Sequence, residues 1–191
     1  MTLPLIEDKT FAKENFQERG FPLAAYEYCR FEQCNMEAAT LSGSKFIDCS
    51  FVNCNLSLAK IENTMFQQCS FSHCKMLGLL FTTANPFNLS FSFESCILDH
   101  CSFAALKFKK IRFDHCHMHE VDFQESSFKE AIFNTCDLLR SQFSHTNLER
   151  ADFSSAYNFL IDPEENQLKG AKFALDSLPA LLTKYKIHIV A

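Results

Sequence analysis

Large apolar side chains fall at every fifth position over most of this chain. Phe11, Phe16, Phe21, Tyr26, Phe31, Met36, Leu41, Phe46, Phe51, Leu56, Ile61, Phe66, Phe71, Met76 and Phe81 share one register. Phe93, Leu98, Phe103, Phe108, Phe113, Met118, Phe123, Phe128, Phe133, Leu138, Phe143, Leu148 and Phe153 share a second, displaced by two residues. A two-residue insertion therefore lies within TTANPFNLS, 82–90, and its expected form is a corner bulge near Asn85-Pro86-Phe87. Amphipathic helices repeat every 3.6 residues and half-buried strands every 2. A period of five fits neither and predicts a repeat architecture.

The ends depart from this rhythm. Residues 1–15 are expected to form a short N-terminal cap before the repeat over 16–173. After Phe153 the register fails through SSAYNFLIDPEENQLKG and returns at Phe173. Asp162-Pro163-Glu164-Glu165 has the acid-before-proline form of a helical start. The tail, 174–191, predicts a helix at about 176–184 and a strand at about 186–190. Its apolar residues Leu175, Leu178, Leu181, Leu182, Tyr185, Ile187 and Ile189 exceed what a simple cap needs. Isologous pairing would bury such a face on both partners at once, so a homodimer through this end is expected.

The five-residue units resemble those of the pentapeptide-repeat family, which place Leu or Phe at the centre and a small residue two positions earlier. CNLSL, CSFVN, CDLLR, TNLER and ADFSS are close matches. The resemblance implies an all-β fold, a right-handed quadrilateral parallel β-helix with four units per turn and the central and small residues facing inward. The ending NFLIDPEENQLKGAKF, with LLTKYKIHIV after it, is similar to that of the Qnr and MfpA branch. What that implies is a tail-to-tail dimer that imitates duplex DNA and binds DNA gyrase or topoisomerase IV, with quinolone or toxin protection. Qnr proteins also carry two projecting loops, whereas the only interruption here before residue 154 is the short insertion. A rigid interaction scaffold for another cytosolic partner is the alternative.

Composition sharpens the picture. Nineteen of the 22 Phe occupy the two registers; Phe91 is ambiguous, and Phe87 and Phe159 lie outside. All ten Cys sit two places before a central residue, where Ala39, Ser44, Ala59, Thr64, Ala131, Ser141, Thr146 and Ala151 sit elsewhere. In FQQCSFSHCKM, 66–76, the cysteine spacing thus serves shape rather than metal binding. At twenty residues per turn Cys34, Cys54, Cys74, Cys96, Cys116 and Cys136 should stack as one interior column, with a rise of ~4.8 Å. Parallel stacked thiols do not meet disulfide geometry.

A net charge of −5 disfavours direct nucleic-acid binding. The charged N-terminal stretch has no signal-peptide block, and no window approaches a membrane span, so a cytoplasmic location is expected. From Asp114 to Glu165 there are eleven acids and three bases, a local charge of −8. Of these, Asp114, Glu120, Asp122, Glu125, Glu130, Asp137, Glu149 and Asp152 form the candidate partner-binding surface. Stacking by twenties puts Lys110 with Glu130 and Arg150, Lys109 and Lys129 with Glu149, and Arg112 near Asp152, so many acids should be paired along ladders. No catalytic motif is present, and no cofactor or metal is expected. HCHMH, 115–119, is the best local metal string, but His117 and His119 should face outward while Cys116 faces in.

Overall fold

The computed structural model describes residues 2–188 and 190. The chain winds into a four-sided parallel β-helix. One side is a continuous nine-stranded sheet whose members are Thr10–Ala12, Arg30–Glu32, Ser50–Val52, Cys69–Ser72, Phe91–Glu94, Arg112–Asp114, Ile132–Asn134, Asp152–Phe153 and Lys172–Phe173. This is face one, and its rungs enclose about eight turns. Faces two and three are held by single bridges, such as His117 with Asp137 and Asp122 with Gln142. Face four carries Leu5–Glu7, Ala25–Glu27, Lys45–Ile47 and Met65–Gln67, and then, separately, Lys107–Lys109 with Ser127–Lys129.

The interior explains why so few residue types dominate. On face one the rings of Phe11, Phe31, Phe51, Phe71, Phe93, Phe113, Phe133, Phe153 and Phe173 stack 4.6–5.4 Å apart, with planes within 14° of parallel. That separation brackets the strand spacing of ~4.8 Å, so ring stacking and the backbone ladder share one pitch. Face three stacks Phe81, Phe103, Phe123 and Phe143 in the same way.

The small inward slot has its own chemistry. All ten thiols are free and buried. Most of their sulfurs donate to a carbonyl 23 residues earlier, as Cys54 does to Phe31 and Cys74 to Phe51, both at 3.4 Å. Thr64, Ser141 and Thr146 make the same bond to Leu41, Met118 and Phe123. A small donor in the slot thus adds a bond to a carbonyl shut off from water, while Ala39, Ala59, Ala131 and Ala151 fill the slot by size alone. Burial pushes the Cys49 and Cys101 thiols up to about 12, so they stay protonated and unreactive.

Corner after corner, the residue two places past the centre adopts a left-handed backbone: φ is +52° at Gln33, +55° at Glu125 and +57° at Arg150. The chain has only four glycines, so ordinary L-residues bear this conformation. At Gly78 (φ +64°) an added Cβ would lie 2.9 Å from Leu58 Cδ2, the tip of an exposed side chain that would have to turn aside. A β-branched side chain suits a left-handed corner worst, and Thr135 is the lone example among these positions. Glu125→Val is therefore expected to destabilise by about 1–2 kcal/mol, and Glu125→Gly by less than about 0.5. Urea midpoints of the two variants check this.

The repeat extends further than its apolar register. Leu5–Glu7 already pairs with Ala25–Glu27, so residues 5–15 belong to the first turn and are not a separate cap. Ile6, five before Phe11, is its inward residue. After Phe153 the side-chain register fails but the pitch does not: Tyr157 bridges Asp137 and Gln167 bridges Asn147. Phe159 and Ile161 bury themselves in place of the missing central residues.

The tail differs from expectation. A four-residue helix, Pro179–Leu182, is flanked by 3₁₀ turns at Leu175–Ser177 and Thr183–Tyr185. Proline, lacking an N–H, opens the helix at its first position rather than continuing one from 176. Left-handed Lys186 ends the last turn. No strand occupies 186–188 or 190; Ile189 lies outside the described residues.

Candidate functional site

The interior is filled, so function must reside on the outer faces, at the insertion or at the C-terminal end. The eight candidate acids do not form one stripe. Asp114 and Asp152 lie on face one, and Glu120 and Asp137 on face two or its corner. Asp122 and Glu125 belong to face three, and Glu130 and Glu149 to face four. Six of them hold a cationic or imidazole partner. Lys110–Glu130 (3.7 Å) and Lys129–Glu149 (2.6 Å) pair one turn apart as expected.

Other pairs depart from the expectation. Arg112 does not reach Asp152, two turns away, but binds Asp114 on its own strand, and Lys172 takes Asp152 at 3.2 Å. Arg150 and Lys109 make no ion pair among the described residues. Arg140 lies 3.5 Å from Glu120, and His119 lies 2.9 Å from Asp137. Hydrogen bonds from Arg112, Asn134 and His115 hold the Asp114 carboxyl below the usual range. Lys129 does the same for Glu149, and Ser154 with Lys172 for Asp152. Only Asp122 and Glu125 have no basic partner among the described residues. Solvent screens these exposed pairs, so each adds little to stability.

On face two the imidazoles of His117 and His119 stand side by side, ring centroids 3.6 Å apart. Asp99, from the turn before, accepts from the His119 backbone N–H at 2.9 Å and lies 2.7 Å from His117 Nδ1. His115 turns away to Asp114, and Cys116 is interior as expected. The local string alone misses Asp99 and Asp137, which only the twenty-residue pitch brings alongside.

The insertion is an outward bulge with Phe87 exposed and the Asn85 side chain accepting from the Phe87 N–H at 2.9 Å. Phe91 points inward instead. It occupies the small slot next to Cys69 in register, and its ring lies 5.2–5.8 Å from those of Phe66, Phe81, Phe93 and Phe108. At this level Leu89 is the partly buried apolar residue of face four, its neighbour Ser90 donating its N–H to the Phe66 carbonyl at 3.1 Å, and the Phe91 ring fills the space beside it.

At the C-terminal end the apolar candidates divide. Leu181 packs on the core, Leu178 and Leu182 are less exposed, and Leu175, Tyr185 and Ile187 face solvent. Val190, absent from the sequence-based set, is also exposed. Lys184 binds both Asp162 (2.7 Å) and Glu164 (2.5 Å), and the Tyr185 hydroxyl donates to Glu164 at 2.6 Å. These contacts fasten the tail to the last turn. An open groove of about 440 Å³ runs between 154–159 and 174–180. No helix among the described residues is long and apolar enough to cross a membrane.

Comparisons with known proteins agree with this geometry. Family profiles for pentapeptide repeats match residues 108–159 (9 copies) and 34–73 (8 copies). The fold is similar to a trypsin-treated form of QnrB1, a plasmid-mediated fluoroquinolone resistance protein, with a TM-score of 0.61, 16% identity and 100% of both chains covered. Full-length QnrB1 gives 0.58 at 17% identity, over 96% of this chain and 100% of that one. HetL, a pentapeptide repeat protein involved in heterocyst differentiation regulation in the cyanobacterium Nostoc, gives 0.48 at 10% identity, over 92% and 88%. No curated protein sequence matches the chain.

Proposed function

This chain is a pentapeptide-repeat protein, and from that premise we propose that it works as a rigid, non-enzymatic protein-interaction rod that binds its partner through its outer faces. The observation that carries this reading is the solid interior. Stacked rings and small donors fill the prism, while parallel ladders hold the outward side chains in rows at the strand spacing. Such a surface presents a fixed pattern of groups to a partner with little ordering cost on binding. The scattered, largely neutralised acids favour a protein partner over direct contact with nucleic acid. The solvent-facing Leu175, Ile187 and Val190 support homodimerisation through the tail.

A second reading, binding to DNA gyrase or topoisomerase IV with quinolone protection, draws on the overlay with QnrB1 along the full length of both chains. The Lys and Arg side chains that pair with five of the eight acids weigh against DNA mimicry. The two readings separate in one assay. Gyrase supercoiling, with and without a quinolone, is expected to be unchanged at a stoichiometric excess of this protein. Inhibition, or relief of the drug block, would select the topoisomerase reading. The interaction rod itself is tested by photocrosslinkers placed in turn on each outer face in the native host. One protein captured from one face supports it, and no capture from any face overturns it.

A further inference from the structure

Three successive turns meet on face two at the histidine pair. Asp99 comes from the first, His117 and His119 from the second, and Asp137 from the third. One ligand atom each from Asp99, His117 and His119 lies within 4.8 Å of the other two. Residues i and i+2 of an extended segment share a side, which is why both imidazoles point the same way while Met118 and Cys116 go inward. The backbone beneath is fixed: His117 N–H bonds to the Cys96 carbonyl (2.9 Å), Met118 N–H to Asp137 (2.8 Å), and His100 N–H to His119 (2.9 Å).

One atom is out of place for a purely structural cluster. His119 Nε2 is shut off from solvent and lies 2.9 Å from an Asp137 oxygen, yet it is misaligned for a hydrogen bond and has no other partner. Asp137 is itself positioned, accepting from Asn158 Nδ2 at 2.8 Å and from the Leu139 N–H at 3.3 Å. The grouping thus offers two imidazoles and a carboxylate, with a second carboxylate against one of the rings.

We propose that Asp99, His117 and His119, with Asp137 beside them, form a binding site for a divalent transition-metal ion of the zinc class. A tetrahedral ion with bonds of ~2.0–2.2 Å needs ligand atoms roughly 3.3–3.5 Å apart, which small side-chain rotations can reach here. Imidazole with carboxylate suits zinc, copper or nickel rather than magnesium, which prefers an all-oxygen octahedron. Asp137 serves as a fourth ligand or as the carboxylate that orients His119. The metal would staple three turns together on a face otherwise held by single bridges.

The test uses the full chain, stripped with chelator and titrated with Zn²⁺, then loaded with Co²⁺ for visible spectroscopy. One ion per chain is expected, with cobalt bands of a nitrogen–oxygen site and a raised thermal midpoint. His117→Gln combined with His119→Gln should abolish binding while the circular dichroism spectrum stays unchanged, since both side chains are outward. His115→Gln should retain it. Three results would overturn the site: no saturable binding by the unaltered chain, binding that survives the double change, or cobalt spectra dominated by thiolate charge transfer.

Discussion

Phe113→Ala should lower the free energy of unfolding by about 3–5 kcal/mol, the range for emptying a large aromatic site in a packed core. Phe113 is fully buried, and its ring stacks on Phe93 at 5.2 Å and on Phe133 at 5.1 Å. Its edge contacts to Phe103 and Phe123 tie face one to face three. The ladder fixes the strands above and below at their pitch, so they cannot collapse into the vacancy, which places the loss high in the range. In a solenoid each turn is stabilised by its neighbours, so the damage reaches both sides of the site. Phe87→Ala, at an exposed ring on the bulge, should stay within about 0.5 kcal/mol. Guanidinium unfolding followed by circular dichroism compares the two; equal midpoints would contradict the stacked core.

Phe91→Cys carries the second large effect, and it runs against the repeat. Cysteine occupies that slot in the three preceding turns, at Cys29, Cys49 and Cys69 on the same face. A substitution toward the local consensus ordinarily stabilises. Here it should destabilise by about 3–5 kcal/mol. At the insertion face four presents only the partly buried Leu89 where neighbouring turns carry Phe46, Phe66 and Phe108, and the Phe91 ring fills the remaining volume against Phe66, Phe81 and Phe108. Cys69→Ala, one rung away, deletes a single sulfur and should cost far less. The same unfolding experiment decides it, and a stabilised Phe91→Cys variant would show that the space is closed by other means.

How much of this was legible depends on the range of each interaction. The five-residue rhythm predicts the ring columns because every centre repeats the same environment. Lys129 with Glu149 follows from the pitch, since both sit one turn apart on one face. Arg112 with Asp152 fails because two turns separate them, while Asp114 on the same strand is nearer. Phe91 could not be placed by counting, because its position belongs to the slot and its size belongs to the gap. The eighth turn looked broken for a related reason: Phe159 and Ile161 supply the bulk from off-register positions while the backbone keeps its pitch. The left-handed corners had left a trace in the near absence of Val, Ile and Thr there. The histidine string was visible, but its carboxylates come from other turns.

The interruption of face four has a mechanical corollary. Pulled or melted, a prism zipped on every side would fray from its tips; this one carries a seam in its middle. Between Met65–Gln67 and Lys107–Lys109 that side has no shared ladder, and the two blocks are joined across the nine-stranded face and the bridged sides. Under load the rod should flex toward its intact spine and part along the seam first, giving two half-length springs in series rather than one stiff bar.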